Sequence, residues 1–118
     1  MTHAIVRRRR RERAERIAQA TAWAERLAHR LPLRAAVVVG SVARGDFNKW
    51  SDLDVLVIAD ELPDDSLERM ATLDTDAPPG LQAIGWTPDE LAHRRARRDP
   101  IAIEADTVGV VVWGHLTQ

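Results

Sequence analysis

Ile17, Ala20, Ala24, Leu27 and Leu31 recur at helical spacing, with Trp23 and Ala28 beside them. An apolar stripe of that period predicts an amphipathic helix. Glu12, Glu15 and Glu25 lie among arginines, as on an exposed helix face. The helix is expected from about residue 5 to about residue 31, ending before Pro32, whose ring disfavours helical backbone in the residue before it. The pattern then changes. Ala35 to Val39 is a short valine-rich run closed by Gly40, the mark of a buried strand. Leu53, Val55 and Val57 alternate with Asp54, Leu56 and Ile58, so a second strand should be apolar on nearly all of both faces. Gly45 and Asn48 supply turn signals between them, and the two strands are expected to pair as a long hairpin.

Further along, Pro63-Asp64-Asp65-Ser66 predicts a helix start, with Asp or Ser as cap and the helix running to about Leu73. Asp74 to Gly80, with Pro78 and Pro79, reads as a loop, and Leu81 to Trp86 as a third strand. Thr87-Pro88-Asp89-Glu90 has the spacing of a capping box with proline in the first turn, so a helix begins there. Pro100 restarts the chain into a short helix over Ile101 to Ala105, and Val108 to Trp113 is a last strand. The order predicts an α/β or α+β domain: a mixed sheet of about four strands with flanking helices.

Composition narrows the class. The chain has 118 residues, 45% hydrophobic and 30% charged, so a single domain over 1–118 with one modest core is expected. With no cysteine, disulfides and thiolate metal sites are excluded. No apolar run approaches the roughly 20 residues that cross a bilayer, so no membrane partner and a cytoplasmic location are expected. The net charge of −1 hides a basic run from Arg7 to Arg11, continued by Arg13 and Arg16. That run fits either a nucleic-acid or acidic-partner contact or a solvated helix end. The second is favoured, because no aromatic residue interleaves it to stack on bases. His3, His29, His93 and His115 are scattered without metal-ligand spacing. Trp23 and Trp86 are expected in the core, and Trp50 is placed either to contact a base or, the favoured reading, to be partly buried.

Candidate chemistry is concentrated in fifteen residues. Gly40-Ser41 ends a strand, where glycine lets backbone approach a ligand and Ser41 offers a hydroxyl and an N–H to phosphate oxygens. Asp52 and Asp54 are one residue apart, so strand alternation puts both carboxylates on one face. Hard oxygen ligands of that kind suit Mg²⁺, which completes its shell with water and substrate phosphates. Arg44 lies between the two features and is placed either to hold a polyphosphate or to pair with Asp46 or Asp52.

Gly40-Ser41, ten residues, then Asp52-Leu53-Asp54 resembles the signature of the nucleotidyltransferase superfamily. The whole stretch from Gly40 to Asp54 is similar to the minimal nucleotidyltransferases of bacteria and archaea. Ile84 to Leu91 resembles that family's strand-to-helix junction, and Gly109 to Gly114 its closing strand. The resemblance covers about residues 35 to 114 and is specific over 40 to 58. It implies a polymerase β-like core that transfers a nucleoside monophosphate, with ATP the expected donor and Mg²⁺ the cofactor. Gly40 and Ser41 would hold the β- and γ-phosphates, and Asp52 and Asp54 the metal. Many such proteins are antitoxins of helical HEPN-type toxins, some by adenylylating them, so a HEPN-type partner is expected.

One position departs from the family. Matching by the strand-to-helix junction puts its third carboxylate at Gln82, and glutamine cannot act as a general base. Among nearby acids, Asp74 and Asp76 lie on a loop that could reach in. Asp89 and Glu90 are better explained by capping, and Glu104 by a distant surface position. Three functions follow: transfer to a hydroxyl of a partner protein, neutralisation of that partner by binding alone, or transfer to a nucleic-acid end or small molecule. The short chain disfavours the third and suggests a homo- or hetero-oligomer.

Overall fold

Over residues 2–117, the part of the chain that the computed structural model describes, nine elements follow one another. They are α1 (Thr2–Ala28), β1 (Leu33–Val39), α2 (Gly40–Arg44), β2 (Leu53–Ala59), α3 (Ser66–Asp74), β3 (Leu81–Trp86), α4 (Pro88–Ala96), α5 (Pro100–Thr107) and β4 (Val110–Gly114). The strands form one mixed sheet in the order β3-β2-β1-β4. β1 pairs antiparallel with β2 and with β4, and β2 pairs parallel with β3. The β1–β2 pair is the expected hairpin, although its connection begins with the short helix α2 rather than with a turn. A parallel neighbour needs a crossover, and α3 supplies it between β2 and β3. No helix among the described residues is long and apolar enough to cross a membrane.

Strand alternation sorts the core into two layers. Ala36, Val38, Leu53, Val55 and Val57 face Ala20, Trp23, Ala24 and Leu27 of α1, together with Val42 of α2 and Leu73 of α3. Val37, Val39, Leu56 and Ile58 point the other way, onto Trp86, Leu91, Ala102 and Ala105 from β3, α4 and α5. β2 is therefore covered on both sides, which is why its sequence lacks the polar alternation of a half-exposed strand. Each fully buried Val or Leu side chain contributes roughly 1.5–3 kcal/mol. Trp23 and Trp86 are buried as expected.

Local signals place the helices on this sheet. Asp65 caps α3, its side chain accepting from the Glu68 N–H at 3.0 Å. Thr87 and Glu90 form the reciprocal box at the start of α4, with bonds of 3.2 and 2.8 Å. Asp99 caps α5 just ahead of Pro100, accepting from the Ile101 N–H at 2.9 Å. Glu90 has a second partner: Arg69 of α3 donates to it at 2.7 Å and also to the Gly85 carbonyl at 3.1 Å. One guanidinium thus ties α3, β3 and α4 together.

Partial burial pushes the Glu90 carboxyl up, but the Thr87 N–H and the Arg69 guanidinium outweigh it and hold its pKa below the ordinary value. A depressed carboxylate stabilises the fold above its unfolded pKa, and that contribution is lost as pH falls through the folded value. Urea midpoints of wild type and Glu90→Gln should therefore differ near neutrality and converge between about pH 5 and about pH 3. A gap that does not shrink in acid would exclude this linkage. Thr87→Ala should cost about 1 kcal/mol in the same assay.

Candidate functional site

The end of β1 is shaped by one close contact. Gly40 has φ +73°, in the left-handed region, and a Cβ built on it would sit 2.5 Å from the Asp54 Oδ2. Both observations require glycine. Val39 is the register partner of Asp54 across the β1–β2 pair, so the backbone turn and the carboxylate are fixed together by the ladder. Ser41 follows in α2, which ends at Gly45 (φ 88°) with the Gly45 N–H donating to the Ser41 carbonyl at 2.8 Å.

The loop from Gly45 to Asp52 is held from the other side by α1. Arg13 donates to the Val42 and Ala43 carbonyls at 2.8 and 3.0 Å, covering the C-terminal end of α2. Arg9 donates to the Gly45 carbonyl at 3.3 Å and to the Phe47 carbonyl. Arg16 donates to the Ser51 carbonyl at 2.7 Å. The guanidinium carbons of Arg9 and Arg16 lie 5.3 and 6.0 Å from the centroid of the buried Phe47 ring, within cation–π range. The basic run is thus not simply a solvated helix end. Residues 9, 13 and 16 share one helix face and clamp the loop, with Arg13 and Arg16 partly buried and Arg9 exposed like Arg8, Arg10 and Arg11.

Within the loop the Asn48 side chain accepts from the Trp50 N–H at 2.8 Å, an Asx turn that aims the indole outward. Trp50 is 81% exposed, against the partial burial expected, and Lys49 stacks on it at 5.0 Å. Asp52 is the last residue before β2 and Asp54 the second residue within it. Asp52 is exposed and Asp54 half-buried. Burial first, then the charges of Asp52 and Glu104, push the Asp54 carboxyl above its ordinary value, with Arg44 pulling the other way.

Gln82 is the direct register partner of Asp54 on β3, so it occupies the same face of the sheet. Glu104 is a correction. Sequence spacing puts it on a distant surface, but α5 brings it against the turn. The Gly40 N–H donates to its Oε1 at 2.6 Å, and Arg44 Nη1 to its Oε2 at 2.7 Å. Arg44 also pairs with Asp46 at 3.2 Å, one of the two acids expected for it. Asp76 does not reach in, being tied to Arg26 of α1 at 2.7 Å. Asp74 lines an open groove that also includes Gln82.

Among the described residues no cluster of three acidic, histidine or cysteine side chains is arranged to hold a metal by itself. Asp52 and Asp54 fit Mg²⁺ by the chemistry of their donors, since two carboxylates suffice when water and substrate phosphates complete the octahedron.

Gly40 and Gly45 both carry positive φ, but a Cβ on Gly45 meets nothing within 4 Å. Gly45→Ala should therefore cost only the left-handed strain, about 1–2 kcal/mol. Gly40→Ala should cost more, because the new methyl also displaces the Asp54 carboxylate. Urea unfolding of the two variants compares them directly, and equal losses would refute the close contact.

The family profile of the nucleotidyltransferase domain matches residues 22–101. No curated protein matches the sequence. Among solved structures, a Sulfolobus solfataricus protein assigned as a nucleotidyltransferase superposes with TM-score 0.69 at 20% identity, over 91% of this chain and 87% of that one. A toxin–antitoxin structure with AMP-PNP gives TM-score 0.56 at 19% identity, over 80% of this chain and 73% of that one. A mutant of the MntA–HpeT toxin–antitoxin gives 0.51 at 15% identity over the same shares. Likeness at these identities establishes the shared fold, and the profile spans more than half of the sequence. With its mixed four-stranded sheet and flanking helices, the chain belongs to the nucleotidyltransferase domain family.

Proposed function

We propose that this protein is a minimal nucleotidyltransferase that moves a nucleoside monophosphate, AMP from ATP, onto a hydroxyl of a partner protein. The observation that carries the reading is the packing of the Gly40 turn against Asp54, with Asp52 two residues away. That arrangement puts a phosphate-accommodating backbone beside two hard anionic ligands. Gly40, Ser41 and Arg44 bind and orient the triphosphate, and Asp52 and Asp54 hold Mg²⁺. The metal, when bound, neutralises charge on the α-phosphate and on departing pyrophosphate. The acceptor oxygen forms a bond to the α-phosphorus as the bond to the β-phosphate breaks, and the hydroxyl proton leaves to solvent or to a base.

Gln82 bears on that last proton. It is neutral and lies beside Asp54, so it can orient or ligate through its carbonyl oxygen but cannot take the proton. The acceptor hydroxyl must then be acidified by its surroundings, or transfer is slow. This same observation supports a second reading, in which the protein neutralises its partner by binding alone.

The partner in the leading reading is a helical toxin of HEPN type in the cytoplasm, with this chain as antitoxin. The toxin–antitoxin context of two fold neighbours, and the AMP-PNP of one of them, accord with it.

The test compares the intact mass of the protein that co-purifies with wild type and with an Asp52→Asn, Asp54→Asn double variant. Transfer predicts nucleotide mass on the partner only with wild type. An unmodified partner retained equally by both would overturn transfer in favour of binding alone. Asp52→Asn by itself should weaken Mg²⁺–nucleotide binding.

A further inference from the structure

We propose that Glu104 is an internal stand-in for the substrate's phosphates, and that displacing it sets a threshold of affinity that a polyphosphate clears and a single phosphate does not. The inference rests on the functional reading above and assigns its nucleotide site a gate. Both Glu104 oxygens are engaged, Oε1 by the Gly40 N–H at 2.6 Å and Oε2 by Arg44 Nη1 at 2.7 Å. These are two of the donors that the triphosphate needs. A carboxylate accepting one backbone N–H and one guanidinium N–H reproduces the charge and the acceptor pattern of a phosphate edge.

Glu104 holds this seat against repulsion. Its charge acts on Asp54 in the same direction as that of Asp52, so three acidic groups converge on one end of the sheet. The side chain is 30% exposed, so its carboxylate borders solvent as well as the turn. Arg44 remains anchored by Asp46 when Glu104 leaves.

Competition with an attached carboxylate is governed by effective concentration. A single phosphate meets only the same two donors and gains little over Glu104. A nucleoside triphosphate presents more charge, and its other oxygens reach Ser41 and a cation held by Asp52 and Asp54. It therefore displaces Glu104 where a single phosphate does not. The apparent affinity for any occupant is reduced by the fraction of molecules in which the seat is filled.

The opposite role for Glu104 is that of a substitute for the carboxylate missing at Gln82, which makes it a metal ligand. The two roles predict opposite signs. The experiment is equilibrium titration calorimetry of the full chain with a non-hydrolysable ATP analogue plus Mg²⁺, and separately with inorganic phosphate. Wild type, Glu104→Gln and Glu104→Ala are compared, with circular dichroism confirming that each is folded. A gate predicts that both variants bind the analogue about tenfold more tightly. It also predicts that they bind inorganic phosphate, which wild type does not. Binding by wild type that is unchanged or weaker in both variants overturns the gate and leaves the functional reading standing. If no form binds the analogue, the nucleotide reading and the gate fall together.

Discussion

The approach of the Gly40 backbone to the Asp54 carboxylate constrains everything around it. The contact leaves no room for a Cβ, and it is set by the β1–β2 register, which pairs Val39 with Asp54. Once the ladder fixes that register, the turn, the carboxylate and the start of α2 cannot move independently. The apolar layers on both faces of β2 hold the ladder, so the geometry of a polar site is inherited from an entirely apolar core. A one-residue slip of β2 would carry Asp54 to the α1 layer and swap the strand's two apolar faces, which makes the site's placement as strongly specified as the core itself.

Two further elements complete the site from opposite sides of the sheet. α1 reaches over the connection after α2 with Arg9, Arg13 and Arg16. α5 brings Glu104 to the turn from the other layer. The same two helices bury Trp23, Leu27, Ala102 and Ala105. Site and core therefore share α1 and α5 as supports.

Much of this was legible in the sequence because it depends on local patterns. The valine-rich β1, the doubly apolar β2, the capping box at Thr87 and the Gly40–Asp54 spacing each report short-range physics. Register then placed Gln82 beside Asp54, a neighbourhood that the sequence alone does not announce. The misses share a different cause. The clamp formed by residues 9, 13 and 16 lies at helical spacing, but it is hidden inside a longer run of arginines, and its acceptors are backbone carbonyls that no side-chain pattern announces. Glu104 lies 64 residues from its partner Gly40, and its role follows from how α5 packs on the sheet. Trp50 is expected to be partly buried because a large aromatic normally gains from burial, but it lies exposed on a loop turned by Asn48.

The arginine clamp also separates two parts of the structure by their response to acid. A guanidinium keeps its charge up to about pH 12, and a backbone carbonyl has no proton to gain in any ordinary range. The bonds from Arg9, Arg13 and Arg16 to the loop are thus indifferent to acidification. Arg69–Glu90, in contrast, loses one partner when that carboxylate is neutralised. Protonation of Glu90 therefore loosens the tie among α3, β3 and α4, while the arginine bonds to the backbone of the Gly45–Asp52 loop lose no partner.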